Sequence, residues 1–252
     1  MATIALYCNE VEDSDSVKCT GVIFDLFGTL IGDPRGPQSA KTSMQMASVL
    51  SLPTDDFRQM WSKNSYAAHT GAFQSVKVLL VHICRELGVQ QNNDDIELAA
   101  QIGQDYARLV MTSPRKGTID TLSQLRQQGY KLGLLSDCGP DPPVIWPETP
   151  FAPLFDATVF SSSVGLMKPD HRIYQLVVEL LGVESKDCVY VSNGQGGEVR
   201  GAYEEGMYPV VITPSPDDEF FCRSPQDDQK ALAEQEGAVI SSLREVLAIV
   251  SG

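Results

Sequence analysis

The stretch Gly21-Val-Ile-Phe-Asp-Leu-Phe-Gly-Thr-Leu30 decides the fold of this chain. Residues 21–26 form a short, nearly continuous apolar run that stops before Gly28, which is typical of a strand buried on both faces of a parallel sheet. Asp25 is the one charged residue in the run. Ligands bind at the carboxyl ends of the strands in such sheets, so Asp25 is the first candidate functional residue.

The chain beyond Pro114 alternates between strand-like and helix-like segments. Strands are predicted at 131–136, 157–160, 188–192 and 209–212, and helices at 118–128, 171–181, 198–205 and 242–250. Short alternating segments of this kind predict a parallel sheet that is covered by helices on both faces. The predicted fold class is therefore α/β with a doubly wound, Rossmann-like parallel sheet, in which residues 140–153 and 214–229 are loops.

The segment between the first two predicted strands has a different pattern. Apolar residues recur at helical spacing through residues 37–112, which predicts about four helices and no strand. Three parts of the chain follow from this: a leader at 1–19, an α/β core at 20–33 and 113–252, and an inserted all-helical cap domain at 34–112. The links at 32–36 and 113–117 contain Gly and Pro and are the predicted hinges of the cap.

The charge of the chain limits its partners. Of 252 residues, 19 are Lys or Arg and 33 are Asp or Glu, so the formal net charge is −14. Because phosphate backbones and anionic lipids repel such a chain, we expect that it binds neither nucleic acid nor a membrane. A local basic pocket can still bind a small anion, so the expected partner is a small anionic substrate. The expected state is a monomer or homodimer. No apolar run has the length of a membrane span, no secretory leader is recognisable and the six cysteines form no paired motif, which predicts a cytoplasmic protein with reduced thiols.

Polar residues follow the predicted strands at the point where their carboxyl ends meet. Asp25 stands after the first strand and Ser136 after the second, Lys168 follows the third, and Asn193 and Glu198 follow the fourth. A carboxylate can attack an electrophile and form a covalent ester, while an ammonium and a hydroxyl hold the anionic group that is transferred. These residue types therefore predict nucleophilic chemistry on a carboxylate.

Four segments, taken in order, carry a family resemblance. They are Phe24-Asp-Leu-Phe-Gly-Thr-Leu30, Leu135-Ser136, Lys168-Pro-Asp170, and Ser192-Asn-Gly-Gln-Gly-Gly-Glu198 with Gly201-Ala202 after it. In order, spacing and strand context they resemble the motifs of the haloacid dehalogenase superfamily. The helical insertion resembles the C1-type cap of the same superfamily. The resemblance implies a hydrolase that uses an aspartate nucleophile.

The resemblance also implies roles for individual residues. Four residues are implied in catalysis, with the aspartate as nucleophile, the threonine supporting its turn and the others holding the anion: Asp25, Thr29, Ser136 and Lys168. Four are implied in substrate contacts, the last of them from the cap: Phe27, Gly28, Asp137 and Arg58. Four are implied as Mg²⁺ ligands, one of them through its backbone carbonyl: Asp25, Phe27, Asn193 and Glu198.

Two positions depart from the phosphatases of the superfamily. Those enzymes usually carry a second Asp two residues after the nucleophile, the general acid for the leaving group, where this chain has Phe27. They usually carry an Asp ligand of Mg²⁺ where this chain has Asn193. Asparagine offers one neutral oxygen instead of an anion, so it weakens the binding of a hard cation, and Glu198 is the candidate replacement.

Metal-free 2-haloacid dehalogenases of the superfamily share both departures, since a halide leaves as an anion and needs no acid. They also place a cap arginine near the halide, and Arg58 is the residue comparable to it. Glu198 and the Gly-rich stretch 194–197 instead resemble phosphatase-type members. Three functions stay open, in this order: a phosphatase-like hydrolase of small phosphate monoesters with weakly held Mg²⁺, a metal-independent 2-haloacid dehalogenase, and a non-hydrolytic or repurposed protein of the same fold.

Overall fold

The strands form one parallel sheet. The structure, a computed structural model, describes residues 19–90, 92–216, 218 and 222–251, so the predicted leader lies outside the described residues except for Cys19. Within these ranges six strands are hydrogen-bonded in the order β3-β2-β1-β4-β5-β6. They are β1 Gly21–Phe24, β2 Lys131–Ser136, β3 Ala157–Phe160, β4 Cys188–Ser192, β5 Tyr208–Ile212 and β6 Ala238–Ile240. The prediction of a doubly wound α/β fold is confirmed.

The first strand occupies the middle of the sheet. It pairs in parallel with β2 and β4, and Phe24 lies opposite Leu134 on one side and Val191 on the other. All four residues of β1 are buried, which explains why the run shows no alternation of apolar and polar residues. The parallel register brings the residues that follow β1, β2 and β4 to the same edge of the sheet.

The helical insertion lies between β1 and β2. In the described part of this segment there are five helices, namely α1 Pro37–Val49, α2 Thr54–Lys63, α3 Ser65–His69, α4 Val76–Glu86 and α5 Asn93–Met111. The sequence predicts about four helices. The difference arises because one predicted helix is broken at Asn64 into α2 and α3. Ala47, Phe57, Leu80 and Ile83 belong to a hydrophobic cluster whose members all come from this insertion. The insertion therefore has a core of its own.

Helices cover both faces of the sheet. The remaining helices are α6 Thr118–Gln127, α7 Asp141–Ile145, α8 Ser161–Val164, α9 His171–Leu181, α10 Glu198–Glu204, α11 Asp227–Glu236 and α12 Glu245–Ser251. Phe24 packs in one cluster with Leu122 of α6 and Val246 of α12. Ile23 packs in another with Ile173 of α9. None of the helices in the described ranges is long and apolar enough to cross a membrane.

The predicted loops contain short elements that the sequence did not reveal. The loop predicted at 214–229 includes the start of α11, and β6 follows that helix. The sequence gives no helix signal there because α11 is polar and buries only Gln229 and Ala233. β6 has three residues, of which only Ile240 is buried, so it carries no clear strand pattern. The loop predicted at 140–153 contains α7, which begins with prolines at helix-starting positions.

The two links of the insertion are joined to each other. Ile31 and Pro114 form an antiparallel bridge. The Arg115 backbone N–H donates to the Leu30 carbonyl at 2.9 Å, and the Thr118 hydroxyl donates to the same oxygen at 3.0 Å. The helical segment thus leaves and re-enters the sheet at one place, directly beyond the turn that follows Asp25.

Candidate active site

The Asp25 carboxylate is fixed through both of its oxygens. The side chain is buried at the end of β1, and its backbone N–H donates to the Val191 carbonyl at 2.9 Å. Lys168 Nζ donates to Oδ1 at 2.7 Å, and Thr29 Oγ1 donates to Oδ2 at 3.0 Å. These contacts hold the carboxylate in one orientation without further movement, as an attacking group requires.

The turn after Asp25 depends on Gly28. The N–H groups of Leu30 and Ile31 both donate to the Leu26 carbonyl, and Gly28 adopts a φ of +81°. A Cβ atom at Gly28 would lie 2.1 Å from Asn193 Nδ2, so both the backbone angle and the close approach require glycine. Arg115 Nη1 donates to the Gly28 carbonyl at 2.8 Å and ties the turn to the second link. Gly28 thus shapes the site, and its contact with substrate stays a prediction.

Lys168 is the centre of the buried charge network. Its ammonium lies 2.7 Å from Asp25 Oδ1 and 2.6 Å from Glu198 Oε2. It also donates to the Leu135 carbonyl at 3.4 Å and to the Tyr190 hydroxyl at 3.2 Å. One positive charge therefore faces two carboxylates in a site that is almost closed to solvent.

The second strand contributes Ser136 and Asp137. Ser136 is fully buried, and its hydroxyl has no hydrogen-bond partner within the described residues. A buried hydroxyl without a partner is costly, so it is suited to bind a ligand oxygen. Asp137 Oδ1 accepts from the backbone N–H of Lys168 at 3.1 Å. Asp137 therefore holds the segment that carries Lys168, whereas the sequence assigns it to direct contact with substrate.

Burial changes the proton affinity of this network. Desolvation raises the pKa of Asp25 to about 7, against the opposing effect of the Lys168 ammonium, and the negative charge of Glu198 adds to the rise. Burial opposes the charged form of Lys168, yet Asp25 and Glu198 hold the pKa of Lys168 well above its ordinary value. Burial also raises the pKa of Asp137. Lys168 thus stays charged while Asp25 can take up a proton.

Activity that depends on Asp25 should therefore fall as the pH drops through about 7. Only the ionised carboxylate attacks, and protonation below the raised pKa removes it. The measurement is kcat/KM between pH 5 and pH 9, at constant ionic strength and in a range where the protein stays folded. A rate that is unchanged between pH 7 and pH 5 would contradict the raised pKa of Asp25.

The four residues implied as metal ligands already contact other groups of the chain. Asn193 Nδ2 donates to the Phe27 carbonyl at 3.1 Å, so an N–H group lies where a cation would need a free oxygen. Rotating the amide would instead set its own oxygen against that carbonyl, two acceptors face to face. Glu198 is engaged by Lys168 and, through Oε1, by the Gln195 N–H at 3.1 Å. No group of three or more His, Cys, Asp or Glu side chains within the described residues is arranged to hold a metal.

This donor set does not fit a divalent cation, in contrast to the Mg²⁺ site that the resemblance implies. Hard cations need several converging oxygens, preferably anionic. Here the Asp25 and Glu198 oxygens are taken up by donors from the chain, and the Phe27 carbonyl is taken up by Asn193.

Comparison with known proteins identifies the family. The family of haloacid dehalogenase-like hydrolases matches residues 19–202, well over half of the chain. The protein is a haloacid dehalogenase-like hydrolase. The match includes β1, the helical insertion and the strand ends at Ser136, Lys168 and Asn193.

The relatives of this hydrolase include two kinds of enzyme. It is 29% identical over 117 residues to a glyceraldehyde 3-phosphate phosphatase of Methanopyrus kandleri, a match that covers 45% of this chain and 49% of the phosphatase. It is 24% identical over 182 residues to an (S)-2-haloacid dehalogenase of Pseudomonas sp. strain YL, which covers 69% of this chain and 74% of the dehalogenase. The chain thus spans about half of the first relative and about three quarters of the second.

Solved structures share the fold. A HAD phosphatase from Thermococcus onnurineus superposes with a TM-score of 0.62 at 20% identity, covering 92% of this hydrolase and 98% of the phosphatase chain. At this identity the likeness extends to the arrangement of the sheet and helices.

The contact of Arg58 with the substrate of this hydrolase stays a prediction. Arg58 is exposed on α2, next to Phe57, which turns into the core of the insertion. No contact in the described part of the chain links Arg58 to Asp25 or Lys168. Phe27 is half-buried and contributes its carbonyl to Asn193. The remaining predicted residues converge on one edge of the sheet.

The site contains two tyrosines that the sequence analysis did not assign to it. Tyr190, fully buried in β4, donates from its hydroxyl to Glu198 Oε2 at 3.2 Å and accepts from Lys168. The Tyr174 hydroxyl donates to the Glu198 backbone carbonyl at 2.9 Å. Both look like core residues in the sequence, because each occupies an apolar position of its strand or helix.

Proposed function

We propose that this hydrolase displaces a halide from the carbon next to the carboxylate of a small anionic substrate, without a metal ion. The observation that carries the proposal is the hydrogen bond from Asn193 to the Phe27 carbonyl, which places an amide N–H where a metal-dependent site needs oxygen ligands. The identity of Phe27 is a second argument for the proposal. At the position of the general acid it places a side chain that cannot protonate a leaving group. A halide leaves as an anion and needs neither.

The reaction balances with the residues of the chain and one water molecule. An Asp25 oxygen attacks the carbon, a C–O ester bond forms, and the carbon–halogen bond breaks with its electron pair on the halide. Water then attacks the ester carbonyl carbon of Asp25, which releases the 2-hydroxy acid and a proton and restores the carboxylate.

Neighbouring residues orient and stabilise these steps. Thr29 and Lys168 hold the two Asp25 oxygens, and Lys168 stabilises the negative charge that develops on an ester oxygen during hydrolysis. The Ser136 hydroxyl, without a partner in the described structure, is suited to donate to the substrate carboxylate. The longer match to the dehalogenase supports the same choice, since it covers 69% of the chain against 45% for the phosphatase.

A second candidate is hydrolysis of a small phosphate monoester. The Gly-rich loop before α10 and the pairing of Glu198 with Lys168 favour it, since the sequence of that loop resembles phosphatase-type members. Attack of Asp25 on phosphorus would release an alkoxide, which needs a proton. Nothing at Phe27 supplies one.

Parallel assays separate the two candidates. We would measure halide release from each enantiomer of 2-chloropropionate, with EDTA and with added Mg²⁺, beside hydrolysis of p-nitrophenyl phosphate under the same conditions. We expect halide release that EDTA does not reduce. Phosphate hydrolysis that requires Mg²⁺, with no halide release, would replace the proposal by the second candidate.

Changing Asn193→Asp tests the same question from within the chain. The substitution removes the donor to Phe27 and sets a third carboxylate beside Asp25 and Glu198, so we expect slower halide release, no gain from Mg²⁺ and a stability loss of about 1–3 kcal/mol. A weakened phosphatase would instead gain Mg²⁺ affinity, and adding Phe27→Asp would raise its phosphate turnover by roughly 10²–10⁴.

Titration calorimetry with Mg²⁺, thermal unfolding and both activity assays provide the readout for Asn193→Asp. Asn92→Asp is the matched control, because Asn92 caps α5 through its side-chain oxygen and an aspartate caps equally well. The control should behave as wild type in every assay. A gain in metal affinity together with phosphatase activity would contradict the metal-independent mechanism.

A further inference from the structure

The first link of the insertion holds a buried carboxylate that two arginines share. Asp33 Oδ1 accepts from the Arg35 backbone N–H at 2.8 Å and from Arg35 Nε at 2.9 Å, and Oδ2 accepts from Arg35 Nη2 at 2.9 Å. Arg223 Nε lies 3.4 Å from the same Oδ2. Two guanidinium groups thus face one carboxylate, so the cluster of Asp33, Arg35 and Arg223 carries a net charge of about +1 at neutral pH.

The positive groups of this arginine cluster face solvent and the negative group does not. The side chains of Arg35 and Arg223 are 54% and 39% exposed, whereas that of Asp33 is 0% exposed. Arg35 Nη1 has no acceptor in the described part of the chain. Within the described residues, Arg223 Nη1 reaches only the Gln195 Oε1 atom, at 3.4 Å. Guanidinium N–H groups therefore remain available on the outer side of the cluster.

The arginine cluster adjoins the catalytic network. Gln195, which contacts Arg223 through its side chain, donates through its backbone N–H to Glu198 Oε1 at 3.1 Å. Glu198 in turn binds Lys168. On the other side, Asp33 lies in the first link, two residues after the turn that follows Asp25 and ends at Ile31. Both connections place the cluster on the rim of the edge where Asp25 lies.

The electrostatics of the centre make this rim significant. Inside, the Lys168 ammonium faces the carboxylates of Asp25 and Glu198, with Asp137 beside its backbone, and the whole chain has a formal charge of −14. Such a centre repels an anionic substrate and has no converging metal ligands to offset the repulsion. A positive rim on an acidic protein concentrates anions and increases their rate of association.

We propose that Arg35 and Arg223, positioned by Asp33, bind the oxyanion of an entering substrate, a carboxylate or a phosphate group, at the mouth of the Asp25 site before that group reaches Ser136. Guanidinium groups match such oxyanions because their planar N–H forks make paired, charge-assisted hydrogen bonds. The inference rests on the proposed function in one respect, that an anionic substrate enters this site. It names the residues that select the anion.

Binding measurements on the full chain test the proposal without any turnover. Malonate and inorganic phosphate are titrated calorimetrically into wild type, Arg223→Gln and Arg35→Gln, which distinguishes a carboxylate site from a phosphate site by the tighter probe. We expect one bound anion in wild type and roughly tenfold weaker binding in each variant, the loss of one charge-assisted pair. Arg126→Gln should bind like wild type, because Arg126 is 45% exposed but lies with Asp156 and Leu154 at the opposite edge of the sheet.

A purely structural role of the arginine cluster predicts a different pattern. Because Arg35→Gln weakens the pairing of buried Asp33, the thermal unfolding of each variant is measured as well. The double variant Asp33→Asn with Arg35→Gln removes both charges of this pair, so it leaves no unpaired buried carboxylate. Arg35→Lys keeps the positive charge and should recover part of the anion affinity. Folded variants that bind both anions within twofold of wild type, or a wild type that binds neither, would overturn the proposal.

The two proposals can fail separately. Loss of anion binding in the arginine variants supports the arginine cluster even where no halide is released. Halide release by wild type with an unchanged KM in Arg223→Gln would overturn the cluster and leave the dehalogenase mechanism intact. A KM raised about tenfold at a similar kcat is the result that supports both.

Discussion

Replacing Asp25 by Asn should leave a folded protein whose hydrolytic rate is below about one per cent of wild type. An amide has the same shape as the carboxylate and can still meet Thr29, but it is not a competent nucleophile. The loss should appear in kcat with either a 2-haloacid or a phosphate ester as substrate. Asp120→Asn is the matched control, since Asp120 is exposed and, among the described residues, forms an ion pair with Arg244 alone.

Isotope labelling tests the same covalent mechanism in the unmutated protein. During turnover of a 2-haloacid in H₂¹⁸O, water attacks the ester carbonyl of Asp25, so ¹⁸O should enter the Asp25 carboxylate and be found in the peptide that contains residue 25. An Asp25→Asn variant that keeps more than a few per cent of the activity would contradict the covalent mechanism. So would a wild type that, with a 2-haloacid, labels only the product.

Replacing Lys168 by Ala should lower turnover by about two to three orders of magnitude. The ammonium lies 2.7 Å from the Asp25 carboxylate and supplies the positive charge of the buried centre. Its loss leaves Asp25 without a fixed orientation and the ester oxygen without stabilisation. Steady-state kcat is the measurement, and activity within threefold of wild type would assign Lys168 to a structural role.

Stability has to be separated from catalysis in this experiment. Removing Lys168 leaves Asp25 and Glu198 as buried carboxylates without their partner, which costs about 3–5 kcal/mol. The double variant Lys168→Met with Glu198→Gln removes one of these charges and should be more stable than Lys168→Ala but equally inactive. Lys131→Ala, an exposed lysine at the opposite edge of the sheet, should retain full activity.

The strand ends were predictable because local pattern and topology agree there. The buried run before Asp25 and the alternation of strands and helices after Pro114 imply a parallel sheet, and a parallel sheet brings Ser136 and Lys168 to the edge where Asp25 lies. The contacts of Lys168 with Asp25 and Glu198 follow from that placement. Predicting that these residues meet at one edge required no knowledge of their side-chain rotamers.

The remaining features depend on contacts that a linear pattern does not contain. The Asn193 amide turns its N–H toward Phe27, across 166 positions of sequence, and only the fold shows which end of the amide faces the carbonyl. Tyr190 looks like a core residue until its hydroxyl is seen between Lys168 and Glu198. The approach of Arg223 to Asp33 joins two segments that lie far apart in the chain, neither of which has a motif.

The bridge between Ile31 and Pro114 makes the helical insertion an exchangeable module. Because its two ends already meet, the sheet imposes the same closure on an insertion of any length, and the entropic cost of a longer one rises only slowly. Substrate preference can therefore evolve, or be engineered, by grafting a different insertion at this point while Asp25, its turn and the register of β1 stay as they are.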